Sequence, residues 1–215
     1  MPKQVLVITA HPSSKGLTHR IADAYKRGAE SVGASVEILD LYKAEEQGMK
    51  QGFLRYENIR ETPTDEIKTL MQQKIAAADE LVFVHPIWWL GPPAILKNWI
   101  DVNMSARFAF RYEARKGFWS KLVGFFAGWL VGDGKRIGML KGKTASVFIT
   151  CDGSFWLYLM MALPFWSIWH FAILYYCGIK TRSFRIMDRK TFRPESDWDV
   201  FLKKVEKIGS KVGNK

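Results

Sequence analysis

Two hydrophobic periods alternate along the chain. Residues 4–10 (QVLVITA) are almost continuously apolar and β-branched, which predicts a central parallel strand buried on both faces. Residues 18–32 then place Ile21, Ala22, Tyr25, Ala29 and Val32 on one side of a helix and turn Arg20, Lys26, Arg27 and Glu30 away, with Gly33 as the stop. A second strand follows at 35–40, and the polar, aperiodic stretch 41–64 reads as a long surface excursion with room for a helical turn. Helical spacing resumes over 65–78 through Ile67, Leu70, Met71 and Ile75, behind a Thr64 or Asp65 cap. The third strand is 80–85 (ELVFVH), and Gly91-Pro92-Pro93 leads into a helix over 92–102. Strands at 144–151 and 179–186 come next. A final helix over 196–212 turns Trp198, Phe201, Leu202, Val205 and Ile208 inward. Strands alternating with helices imply right-handed crossovers and an α/β, doubly wound, five-stranded parallel sheet of order 2-1-3-4-5, whose ligand site lies beyond the carboxyl ends of the strands.

Two segments resist this scheme. From Gly153 to Ile179 there is no Asp, Glu, Lys or Arg, a run long enough to cross a bilayer. Ser154, Pro164, Ser167 and His170 interrupt it, and it joins two strands of one sheet, which argues against a span. The other is the apolar insertion at about 117–142, containing FWSKLVGFFAGWLVGD. A lid, a dimer contact, ordinary packing and a peripheral membrane contact are all open readings for it.

Composition adds three points. Aromatic residues make up 14% of the chain, with nine tryptophans, more than an ordinary core requires. The net charge of +11 is spread along the chain without a basic helix or zinc-finger spacing, so an anionic dinucleotide or membrane surface fits it better than nucleic acid. Cys151 and Cys177 lie in apolar runs without metal or disulfide spacing, which fits a reducing cytoplasm, and no metal site is expected. The opening residues read as a strand rather than a signal peptide. No composition shift marks a second domain, so 1–215 reads as one.

Three loops, after the first, third and fourth of these strands, gather at one edge of such a sheet. The first, His11-Pro12-Ser13-Ser14-Lys15-Gly16-Leu17-Thr18, runs into a helix whose free amides, dipole and Lys15 favour a phosphate, although an ordinary helix start has the same look. The second, from His85 through Pro86, Ile87, Trp88, Trp89, Leu90 and Gly91, sets two indoles in a stiff loop where they can stack on a planar ring, with core packing as the plain alternative. Core packing is the better reading for Trp99. The third, Thr150-Cys151-Asp152-Gly153-Ser154 followed by Tyr158, offers amides and hydroxyls to the polar edge of a heterocycle, although Asp152 also suits a cap for the next helix.

The run HPIWWLGPPAILKNWID, the opening VLVITAHPSSKGLT, DLY at 40–42, FAFRYE at 108–113 and the TCDGS loop together resemble the NAD(P)H dehydrogenase (quinone) family. That family spans DT-diaphorases, drug-activity modulators and the ancillary flavoproteins of potassium-efflux systems. The resemblance covers nearly the whole chain outside the insertion and implies a flavodoxin-like fold, a homodimer, and FMN or FAD held noncovalently. It implies ping-pong transfer of two electrons from NAD(P)H to a quinone-type acceptor. By position, His11, Gly16, Leu17 and Thr18 hold the flavin's phosphate arm, and Pro86, Ile87, Trp88, Trp89 and Leu90 line its ring. Thr150, Cys151, Asp152 and Gly153 match the loop on its pyrimidine side, and Tyr158 matches a tyrosine that bonds the flavin during hydride transfer. The histidine that partners this tyrosine in diaphorases falls at Pro164 here. A second reading, motivated by the insertion and the charge, is a regulatory flavoprotein bound to a membrane transport partner.

Overall fold

A computed structural model describes residues 1–54, 65–114, 134–154, 156 and 166–213. Its elements run β1 (Gln4–Thr9), α1 (Leu17–Glu30), β2 (Ser35–Asp40), α2 (Leu41–Glu46), α3 (Glu66–Ala77), β3 (Glu80–Pro86), α4 (Ala94–Asn103), β4 (Phe110–Ala114), β5 (Gly134–Gly138) and β6 (Thr144–Thr150). A π-helical segment (Ile168–Tyr175), β7 (Lys180–Met187) and α5 (Glu195–Gly209) complete the order. The main sheet is β2-β1-β3-β6-β7, parallel throughout, which is the expected 2-1-3-4-5 succession.

Side chains alternate across this sheet with a period of two, so each strand feeds two cores. Val5, Val7, Val82, Val84 and Phe148 face α1 and α5, against Leu17, Ile21, Ala22, Tyr25 and Val205. Leu6, Ile8, Leu81, Phe83, Val147 and Ile149 face α3, α4 and the π segment, against Met71, Ile75, Leu96, Trp99 and Trp169. That double burial is why β1, β3 and β6 read as unbroken apolar runs. The π segment buries Trp169 on Phe83 and His85, with ring centroids 4.7 and 5.3 Å apart. No described helix is long and apolar enough to cross a membrane.

Several expectations need correction. Helix α1 ends at Glu30, so Val32 falls past the end of the stripe and is exposed; Leu70 is exposed as well, because α3 buries Met71 and Ile75 instead. Asp65, one of the two caps expected for α3, does fill that place, accepting from the Lys68 amide at 2.5 Å. An antiparallel hairpin, β4–β5, stands apart from the main sheet and was not anticipated. At the amino-terminal end of the sheet, Glu80 is buried and paired with Arg182 at 2.8 Å, accepts from the Ser146 hydroxyl at 2.7 Å, and shares Arg182 with the Tyr25 hydroxyl. Both charges are satisfied there, as burial requires.

Candidate functional site

The carboxyl ends of β1, β3, β6 and β7 lie side by side, and hydrogen bonds carry the sheet into the loops beyond them. The Ala10 amide donates to the Val84 carbonyl (3.2 Å), the Ile87 amide to Thr150 (2.9 Å) and the Cys151 amide to Met187 (3.0 Å). These bonds bring the three loops singled out in the sequence to one rim, together with a fourth after β7.

In the first loop, Gly16 is the N-cap of α1 and supplies no side-chain cap, and no acidic residue occupies the first turn. Among the described residues nothing accepts from the amides of Leu17 and Thr18, so two donors and the positive end of the helix dipole remain for an anion. Leu17 and Thr18 are buried by their side chains, which fixes those amides. His11 folds back so that its Nδ1 accepts from the Ser13 amide at 3.0 Å, and burial lowers its pKa, keeping the ring neutral near neutral pH. A Cβ at Gly16 would lie 3.3 Å from His11 Cε1 and 3.3 Å from the Ser13 carbonyl oxygen, so a methyl there is a tight fit and anything larger intrudes on the cradle. Behind it, His19 Nε2 and Asp40 Oδ2 meet at 2.9 Å, while the other Asp40 oxygen caps α2 through the Tyr42 and Lys43 amides.

The second loop contradicts the core-packing alternative for its indoles. Pro86 and Ile87 are buried, but Trp88 is 42% exposed, Leu90 is 44% exposed, and Trp89 is fully in solvent. Reciprocal bonds between Trp88 and Gly91, at 2.9 and 3.0 Å, close a tight turn in which Trp89 (φ 48°) and Leu90 (φ 57°) are both left-handed. Two consecutive non-glycine residues in that region store strain, and such strain concentrates at ligand clamps. Trp99 is a core residue on α4, as expected, packed edge-on against Phe83 at 6.5 Å.

In the third loop Thr150 and Cys151 are buried and Asp152 is exposed. Burial raises the Cys151 pKa to about 12, so the sulfur is a neutral thiol rather than a nucleophile. Among the described residues Asp152 caps no helix. Its Oδ1 accepts from the Thr191 amide (2.9 Å) and hydroxyl (2.6 Å), and Lys190 Nζ lies 4.0 Å from Oδ2. Burial opposes ionisation, but the Thr191 bonds and Lys190 outweigh it and hold the carboxyl below its ordinary range. With Lys190 N–H on the Cys151 carbonyl (3.0 Å) and Arg189 N–H on Gly153 (3.2 Å), the third loop is fastened to the loop after β7. The amides of Asp152, Gly153 and Ser154 find no acceptor among the described residues. Tyr158 and Pro164 lie outside the described residues, as does most of the apolar insertion.

Sequence reasoning missed the 188–193 loop. Its charges, DRKTFR, look like a solvated surface, yet it follows the carboxyl end of a strand and belongs to the rim for that reason alone. His85 stands next to last in β3, at the foot of the second loop. It is fully buried, donates from Nδ1 to the Pro86 carbonyl at 2.8 Å, packs at a tilt against Trp169, and leaves Nε2 without a partner among the described residues. Burial lowers its pKa from the ordinary 6.5 to about 4. The unfolded chain therefore takes up this proton first as the pH falls. The stabilisation is complete above pH 6.5 and drains away down to pH 4, about 3 kcal/mol in all at roughly 1.4 kcal/mol per unit. Urea melts at the two ends of that window are expected to show the loss in the wild type and a correspondingly shallower pH dependence in His85→Leu.

Comparison with known proteins places these features in context. The flavodoxin-like fold family matches residues 3–212. An uncharacterized NAD(P)H oxidoreductase of Haemophilus influenzae is 28% identical over 188 residues, covering 84% of this chain and 81% of that protein. Among solved structures, the NAD(P)H:quinone oxidoreductase from Methanothermobacter marburgensis superposes with a TM-score of 0.76 at 20% identity, over 100% of this chain and 99% of that one. The FMN-dependent NADH-azoreductase of Bacillus anthracis, solved in complex with FMN, gives 0.68 at 20% identity, over 99% and 100%.

Proposed function

The chain belongs to the flavodoxin-like fold family, and from that membership we propose that it is a flavin-dependent oxidoreductase carrying reducing equivalents from NAD(P)H to a quinone-type acceptor. The observation that carries this reading is the Trp88–Gly91 turn, which holds two exposed side chains in strained backbone beside an uncapped helix start. Core packing does not account for that arrangement. A planar ring on a phosphate-bearing arm does.

The residues fit such a group. The amides of Leu17 and Thr18, with Gly16 open and His11 neutral beside them, would hold the phosphate, and Pro86, Ile87, Trp88, Trp89 and Leu90 would face the ring. Thr150, Cys151, Asp152 and Gly153 would meet its polar edge, Asp152 and Gly153 through their unpaired amides, with Tyr158 as the residue assigned to proton or hydrogen-bond exchange there. When bound, the flavin supplies the hydride chemistry, accepting two electrons and returning them. The chain binds, orients and excludes water. The free amides of Asp152, Gly153 and Ser154 would offer donors already in place for negative charge on a ring bound against this loop. A neutral Cys151 thiol adds no opposing charge. The names of the M. marburgensis and B. anthracis proteins support a quinone-type acceptor and FMN as the flavin. Ping-pong order, one domain over the whole chain and a homodimer belong to the same proposal.

The test is reconstitution with FMN followed by anaerobic NADH or NADPH, then benzoquinone. Bleaching of the visible band on donor addition, its return on acceptor addition, and parallel initial-rate lines are expected. Protein that stays colourless, or that bleaches with neither nicotinamide, refutes the reading. In the same assay Trp88→Ala and Trp89→Ala are each expected to lower kcat/KM about tenfold, the order of one lost stacking contact.

A further inference from the structure

At the end of β7 away from the rim lies a cavity of about 610 Å³ lined by Arg136, Lys141, His170, Tyr175, Lys180 and Thr181 among others. Three permanent cations surround it and no carboxylate lines it. By comparison, Arg20, Arg182 and Arg193 are each ion-paired. Among the described residues none of these three cations has an acidic partner. Arg136 instead lies over the rings of Tyr175 and Tyr176, at 4.8 and 4.6 Å, and donates to the Tyr175 carbonyl at 2.8 Å. Lys141 and Lys180 are exposed. His170 is held in place by the Thr181 hydroxyl at 2.8 Å and by stacking on Trp166 at 4.3 Å. A set of uncompensated cations at one place has a favourable use in meeting an anion.

The same face carries aromatic rings of the π segment and, just before it, Trp166. Trp169, Ile173 and Leu174 turn into the core, while Trp166, Phe171 and Tyr175 point outward at 42%, 51% and 60% exposure. Nothing in the described structure covers them. Aromatic rings of amphipathic character standing next to Lys and Arg match the headgroup layer of a bilayer, where rings enter the acyl boundary and cations meet phosphates. An acidic protein surface would answer the charges but leave the rings without a reason.

We infer that this face docks the protein on an anionic bilayer surface. Lys180 opens β7 and Met187 closes it, so the docking face and the candidate redox rim are roughly 23 Å apart at the rise of a parallel strand. Docking therefore leaves the rim free, and the inference stands or falls independently of the proposed reaction.

The experiment is flotation of the full chain with vesicles of equimolar phosphatidylcholine and phosphatidylglycerol, against vesicles of phosphatidylcholine alone, at low salt. Binding to the anionic vesicles and none to the neutral ones is expected. Lys141→Glu/Lys180→Glu is expected to weaken that binding about 100-fold, given the contribution of each surface cation. Phe171→Ser is expected to weaken it about tenfold at unchanged net charge. Lys203→Glu/Lys204→Glu, the same charge change on exposed positions of α5, is expected to bind nearly as the wild type does. Absence of wild-type binding, or equal loss in the two charge-reversed variants, overturns the inference. So does sedimentation velocity showing that Phe171→Ser splits a dimer, since the face then belongs to a second copy of the chain.

Discussion

Gly16→Val is expected to lose flavin while keeping its fold. Gly16 sits at φ −75° and ψ 166°, extended backbone open to any residue, so valine brings no main-chain strain. The obstruction is local: a Cβ already stands 3.3 Å from His11 and Ser13, and two further methyls have to enter the space over the Leu17 and Thr18 amides. Losing the phosphate there is expected to weaken FMN binding about 100-fold, or about 2.7 kcal/mol. The poorer cap costs about 1 kcal/mol, a fall in Tm of about 3 °C. Fluorescence titration of apoprotein with FMN and a melt of the same sample separate the two effects. Unchanged affinity would remove the phosphate arm from this helix end. Gly16→Ala, whose Cβ makes contacts that are close but short of overlap, is expected to fall between valine and wild type.

The largest loss of stability is expected from Gly28→Val. Helices α1 and α5 cross so closely that a Cβ at Gly28 would fall on the Glu206 carbonyl, and one at Gly209 on the Tyr25 carbonyl. Glycine within a helix costs about 1 kcal/mol relative to alanine, and here the backbone contact it permits outweighs that. Valine has to push the helices apart, breaking the layer that covers Val5, Val7 and Phe148. The expected cost is about 3 kcal/mol or more, read by urea denaturation of the apoprotein. Gly33→Ala serves as a control: Gly33 is left-handed (φ 82°) with nothing within 4 Å of its missing Cβ, so about 1 kcal/mol is expected from conformation alone.

Much of this architecture was legible because burial on both faces writes itself into the sequence. β1, β3 and β6 could hardly be anything but central strands, and their order places their carboxyl ends together. What escaped the sequence depends on partners far along the chain. The β4–β5 hairpin pairs Phe110 with Gly138, and its second strand, GKRIG, carries no alternation to announce it. Asp152 has the local look of a helix cap, but its Oδ1 accepts from the amide and hydroxyl of Thr191, 39 positions on. Val32 extends the apolar spacing of α1 beyond the point where the helix stops. The exposure of Trp88 and Trp89 is set by two left-handed residues that neither tryptophan nor leucine favours, so no propensity signals the turn. The loops themselves were still found, because topology alone locates the rim.

The clasp between α1 and α5 also bears on how the chain is made. Arg20 reaches Glu195 and Asp199, the former 175 positions later, and the groove around Gly28 is filled by residues that follow almost all the others. During synthesis the first helix therefore emerges with Tyr25 and Ile21 lacking part of their cover until α5 has left the ribosome. Nascent chains that stop short of α5 are expected to present that apolar stripe to chaperones and proteases.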